Sequence, residues 1–283
     1  KNMMQIKEKI NKNNIYNISF ILLIILLAIV NKISVIPDNT KWQANHNSNI
    51  RVILSEVIDN KLLIGLNIKL DKDSYTYWKN PGDTGLEPSI KIDEHPELIK
   101  YNIQWPVPYI IKDKYGINYA YKDDLVIPIE LQLTNKGGLI DMGLNIEYGV
   151  CSDICVPIQD RIKLKIINNI ENYKNNTNKF LKKALLSVPK YRHADQKVIS
   201  NARILNIGGS DYIKIKFSES VKGIIIDGSD NFQFFDMEDA KEYYKEYKFS
   251  FRSFYKSAKI EGERISAIIF LKTEYFLEDF FIQ

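Results

Sequence analysis

Cys151 and Cys155 are the only cysteines in the 283-residue chain, and they stand four apart in YGVCSDICVP (148–157). Two thiols this close can form a disulfide if the backbone between them turns. Three chemistries fit such a pair. The first is a structural staple. A five-residue loop gains about 2 kcal/mol in the chain-entropy model, less than a long loop would, and bridging sequence neighbours does little to hold two sheets together. The second is thiol–disulfide exchange, which needs a thiolate and an accessible sulfur. The third is copper(I) held between two thiolates. Zinc would want four ligands, and none of the three histidines, His46, His95 and His193, is near in sequence. Glu147 and Asp153 lie beside the pair and are candidate proton acceptors during exchange. A carboxylate at Asp153 would disfavour an adjacent thiolate.

Composition removes several other classes. Lys and Arg number 39 against 35 Asp and Glu, a net charge of +4. The excess is small and interspersed, which excludes a dedicated nucleic-acid surface. Hydrophobic residues at 45% and charged residues at 26% are ordinary for folded domains, and the length allows two of them. Nothing in the composition calls for a cofactor or a metal centre.

The elements that must position the cysteines are strands. IRVILSEVI (50–58) and KLLIGLNIKL (61–70) form a predicted hairpin around Asp59-Asn60. YWKNPGDTGLEPS (77–89) has two prolines and two glycines and is expected to be a loop. Short strands are expected at 89–92, 100–105, 125–133, 143–148 and 161–167. Residues 169–198 are expected to be a linker with a short helix over FLKKALLSV (180–188), stopped by Pro189. A second β-rich block over 199–283 has strands at 203–207, 211–218, 222–227, 232–236, 247–255 and 265–270, with a Gly208-Gly209 turn. The fold class is therefore all-β. Within it, Asn80-Pro81-Gly82-Asp83 is expected to be a turn with glycine in the left-handed region. Trp105 is expected in the core, His95 with Glu94 and Glu97 in a surface loop, and Tyr121 to Asp124 at a solvated strand entrance.

Residues 1–12 carry Lys1, Lys7, Lys9 and Lys12 against Glu8, and an apolar run from Ile18 to Val30 follows, broken only by Ser19. A basic flank before a short apolar stretch is the layout of an export signal. Residues 1–35 are thus expected to be a signal peptide or an N-terminal membrane anchor. The basic end stays in the cytoplasm and the rest lies outside it. In a bacterium that is an oxidising compartment, where a cysteine pair can form a disulfide.

Four blocks together carry a family resemblance: YWKNPGDTGLEPS (77–89), IQWPVP (103–108), YGINYAYKDDLVIPIEL (115–131) and YGVCSDICVP (148–157). Over residues 42–168 the chain resembles the periplasmic N-terminal (alpha) domain of DsbD-type thiol:disulfide interchange proteins. The nearer branch is that of the copper-sensitivity suppressor ScsB and stand-alone DsbD-domain proteins, which fits Cys-x-x-x-Cys; the best-known members space the cysteines more widely. The resemblance implies an immunoglobulin-like sandwich with a small catalytic insertion carrying the cysteines. It implies that Cys155 attacks a partner disulfide and Cys151 resolves the mixed disulfide. It also implies a cap loop over the pair. The cap position falls at Lys114, with Tyr109, Tyr115 and Tyr119 as the candidate shielding residues. Full-length members continue into a multi-spanning membrane domain and a thioredoxin domain, and residues 199–283 read as neither. The implied partners are therefore a separate membrane electron donor and oxidised periplasmic proteins. The competing functions are a non-enzymatic immunoglobulin-like binding or assembly module with a structural disulfide, and a copper-handling protein.

Overall fold

A computed structural model describes residues 39–58, 61–113, 116–134, 138–167, 179–228, 231–236 and 242–283. The signal or anchor expected at 1–35 and the turn expected at Asp59-Asn60 lie outside the described residues. No helix among the described residues is long and apolar enough to cross a membrane.

The first eleven strands are β1 (Gln43–Asn45), β2 (Ser48–Ile58), β3 (Lys61–Leu70), β4 (Tyr75–Gly82), β5 (Ser89–Ile92), β6 (Leu98–Ile103), β7 (Tyr109–Asp113), β8 (Gly116–Lys122), β9 (Asp124–Leu133), β10 (Leu139–Cys151) and β11 (Cys155–Ile167). They make two sheets. One has the order β1-β2-β3-β9-β6; the other has the order β11-β10-β4-β8-β7, with β5 also paired to β10. Every pairing between these strands is antiparallel. Alternate residues turn inward, as period-2 side chains must. Ile50, Val52, Leu66, Ile127, Ile129 and Leu131 come from the first sheet, and Ile140, Leu144, Ile146, Ile162 and Leu164 from the second; all are buried. The result is the expected immunoglobulin-like sandwich.

Helix α1 (Lys179–Leu186) follows. Leu181 and Ala184 are buried in one cluster with Ile53 and Val126, so the expected linker helix is docked on the outer face of the first sheet. Seven more strands come next: β12 (Ile199–Ile207), β13 (Ser210–Val221), β14 (Gly223–Gly228), β15 (Phe232–Asp236), β16 (Tyr244–Ser253), β17 (Arg264–Phe270) and β18 (Tyr275–Phe281). They form a four-stranded sheet, β12-β13-β16-β15, and a three-stranded one, β14-β17-β18. Between them lies one cluster that includes Phe217, Phe249, Ile265, Ile269, Phe276 and Phe280. Alternation over 247–255 buries Tyr247 and Phe249, whereas Tyr255 is exposed.

Some local expectations are corrected. Tyr121 is not at a solvated entrance: it is buried and donates to the Pro106 carbonyl at 2.6 Å. Burial, then the nearby Asp227 charge, pushes its phenol well above the usual range. Trp105 is only half-buried. It lines a cleft of about 710 Å³ with Trp78, Leu185 and Leu277 rather than filling the sandwich core. The loop expected over 77–89 is strand as far as Gly82, whose φ of 87° supplies the expected left-handed turn.

Asp93, just past β5, fastens three strands together. Its carboxylate accepts from Gly143 N–H at 2.8 Å, Asn145 Nδ2 at 2.8 Å and the Arg161 guanidinium. The Arg161 and Asn145 hydrogen bonds hold its carboxyl below the usual range. A depressed carboxylate contributes stability above its unfolded pKa and loses it as pH falls through the folded one. Wild-type protein should therefore lose stability below about pH 4. Asp93→Asn should be less stable at neutral pH and decline less steeply in acid, as read from urea midpoints across pH.

Candidate active site

The β10–β11 register runs unbroken to Val150↔Val156 and Cys151↔Cys155, so the two cysteines are the last pair of the ladder. Residues 152–154 are the hairpin tip, where Ser152 N–H donates to the Ile154 carbonyl at 3.0 Å. The Cα atoms of Cys151 and Cys155 are 4.0 Å apart and their sulfurs are joined. A hairpin thus supplies the turn that bonding requires.

The two ends of this disulfide lie in different surroundings. Cys151 is fully buried in a cluster with Tyr77 and Ala120, against which Tyr75 and Ile111 pack. Cys155 is exposed, and so is Ile154 beside it, at 63%. The sheet causes the asymmetry. Cys151 pairs across to Tyr75 in β4, whereas Cys155 opens β11, the outermost strand.

Tyr77 Oη lies 3.0 Å from Cys151 Sγ and 3.5 Å from Cys155 Sγ. Disulfide sulfurs carry no hydrogen, so the phenol donates. Tyr77 is itself buried and meets the Tyr75 ring edge-on at 5.6 Å. The segment after β4 folds back over it. A Cβ at Gly85 would fall 2.6 Å from the Tyr77 ring, so this close approach needs glycine. A hydroxyl donor held between two sulfurs can steady whichever of them becomes a thiolate, because a hydrogen bond to the charged form favours that form. Three residues before Cys151, the Tyr148 hydroxyl ties the two sheets together, bonding Ser48 Oγ at 3.1 Å and accepting from Asn45 Nδ2 at 3.3 Å.

The residues singled out in the sequence fall in several places. Cys151 and Cys155 are brought together. Asp153 is exposed in the tip between them, and Glu147 is exposed on β10 opposite Gln159. Tyr109 is 63% exposed on edge strand β7, opposite Ala120 and so on the face that Ala120 and Ile111 present to Cys151. Tyr119 is instead buried, edge-on against Trp78 at 6.0 Å, and serves the core. Lys114 and Tyr115 lie outside the described residues. Asn80 accepts from Gly82 N–H at 3.3 Å, and Asp83 from Ile117 N–H at 2.7 Å, as turn residues. His95 Nδ1 accepts from Glu97 N–H at 3.1 Å, a local loop contact. Sequence reasoning did not single out Tyr77. Its local signal was the alternating Tyr75-Thr76-Tyr77 that runs into the block opening at Tyr77.

Residues 50–166 match the family model described as thiol:disulfide interchange protein DsbD, N-terminal. Among solved structures, the chain is similar to the N-terminal periplasmic domain of ScsB from Proteus mirabilis. That match has 16% identity and a TM-score of 0.63, covering 87% of this chain and 98% of that one. A second match is the DsbD N-terminal domain from Neisseria meningitidis in the reduced form, at 13% identity and a TM-score of 0.29, covering 42% of this chain and 85% of that one. None of the curated proteins matches.

Proposed function

We propose, from the DsbD N-terminal domain that residues 50–166 constitute, that Cys151 and Cys155 are a redox pair that reduces disulfides of other exported proteins. The observation that carries this is the asymmetry of the pair: an exposed Cys155, a buried Cys151, and the Tyr77 hydroxyl within reach of both sulfurs. A staple needs no exposed sulfur and no donor between the two. Exchange uses both features.

The steps follow from thiolate chemistry. In the reduced protein the Cys155 thiolate attacks one sulfur of the partner disulfide and expels the other as a thiolate. The Cys151 thiolate then attacks Cys155 Sγ, the mixed disulfide breaks, and the partner leaves as a dithiol. Two electrons and two protons reach the partner, and the Cys151–Cys155 disulfide forms. A dithiol on a separate membrane protein recharges the pair by the reverse sequence. The basic flank and the apolar run over residues 18–30 support export to the periplasm, with or without a retained anchor. Cap contacts by Tyr109, Lys114 and Tyr115, and proton acceptance by Glu147 or Asp153, belong to the same reading.

The test is equilibration in glutathione buffers, followed by labelling of free thiols. Structural disulfides typically lie below about −300 mV. The Cys151–Cys155 bond should open at milder potentials while far-UV dichroism stays unchanged. A bond that opens only when the chain unfolds would establish the structural module instead.

A further inference from the structure

We infer that the second β block is a positioning element for the redox pair, acting through Asp227 and Ile226 on the segment of β4 that follows Tyr77. This rests on the reading of Cys151 and Cys155 as exchange thiols.

The ladder between β4 and β8 has a gap. β4 pairs with β8 at Tyr75↔Lys122, Thr76↔Tyr121 and Tyr77↔Ala120, and then not again until Gly82↔Asn118. On its other side β4 meets β10 only at Thr76 and Tyr75. The four residues 78–81, directly after the tyrosine that touches the sulfurs, therefore have no register partner on either neighbouring strand. An irregular stretch of this kind re-aims side chains and leaves backbone without ladder support.

Support comes from the other half of the chain. Lys79 Nζ pairs with Asp227 Oδ1 at 2.7 Å, and Asn80 Nδ2 donates to the Ile226 carbonyl at 3.1 Å. Asp227 is itself the extra residue of a bulge, since β14 and β17 slip register between Ile226 and Gly228. Two irregular stretches thus meet, and each turns a side chain or carbonyl toward the other. The ion pair is sheltered, with the Asp227 side chain only 13% exposed. Its carboxyl sits above the usual range because of burial, with Lys79 pulling the other way. A sheltered charge that loses its partner is costly, so the pair resists sliding of β4. Between the anchored Lys79 and the laddered Tyr77 stands Trp78, buried against Tyr119. The strand is thus held on both sides of Trp78, directly beside the tyrosine whose hydroxyl meets the sulfurs.

The test is a double-mutant cycle in the full chain, read as the equilibrium constant for reduction by dithiothreitol at pH 8. Tyr77→Phe removes the donor to the thiolate and should lower that constant by about tenfold, as befits a charge-assisted hydrogen bond. Asp227→Asn and Lys79→Gln, with thermal melts confirming a folded protein, should each lower it about threefold to fivefold. Asp227→Asn added to Tyr77→Phe should then lower it no further, because the effect runs through the phenol. Additive effects, or an Asp227→Asn constant within a factor of two of wild type, would overturn the inference. Dithiothreitol reads the coupling even in a disulfide that resists glutathione, so failure of the exchange reading and failure of this inference give different results.

Discussion

Cys151→Ala, mixed with an oxidised thiol–disulfide protein, should accumulate a mixed disulfide through Cys155, whereas Cys155→Ala should accumulate far less. The exposed sulfur is the one a partner can reach, and thiolate attack requires access. Cys155 is exposed at the hairpin tip, while Cys151 is sealed by Tyr77, Ala120 and their neighbours. Removing the buried resolving thiol strands the intermediate; removing the attacker prevents it. Acid quenching, alkylation and non-reducing electrophoresis separate the outcomes. Equal trapping by both variants would make the order of attack wrong and leave the redox role standing. Trapping by neither, with a wild-type bond that resists strong reductant, would favour the structural module.

The second large effect is on stability. Trp78 is the largest of the fully buried side chains, and Trp78→Ala should cost about 3–5 kcal/mol, the sum of lost transfer free energy and the cavity left behind. Its ring closes against Tyr119 and lies under Lys79 Nζ at 5.5 Å. Its indole N–H is buried and finds no acceptor among the described residues. Trp78→Phe removes that unsatisfied donor along with some volume, so it should cost clearly less. Urea unfolding midpoints, at constant m-value, check both. Equal losses would mean that packing volume is not what the site depends on.

The sequence revealed strands where alternation was clean and turns where glycine or proline marked them. Residues 61–70, 89–92 and 232–236 were expected as strands and fold over those bounds. The cysteine turn was legible because two thiols four apart bond only across a turn. β4 was misread from Tyr77 onward because Pro81 and Gly82 look like loop punctuation; the strand leaves its ladder after Tyr77 and rejoins it only at Gly82. The β7–β8 hairpin was invisible as such: GINYAYK buries five successive residues, and alternation is lost when both faces are covered. Tyr119 was a cap candidate only through the family resemblance, and it is instead buried against Trp78. β18, with a partly buried residue between each buried one, was missed at the chain end. The reach of Tyr77 to the sulfurs spans 74 residues of sequence, and only strand pairing brings them together.

The unbroken register up to Cys151↔Cys155 has a thermodynamic consequence. Folding and disulfide formation form a closed cycle, so whatever the bond adds to the stability of the fold, the fold must add to the stability of the bond. The ladder already brings the two cysteines together, and a five-residue loop limits the reciprocal term to about 2 kcal/mol. The coupling of fold and bond through loop closure is therefore modest, a factor of about 30 in either equilibrium constant. The pair can gain and lose its two electrons without the sandwich being made or unmade, and most of the energy that drives exchange stays in the sulfurs and their immediate surroundings.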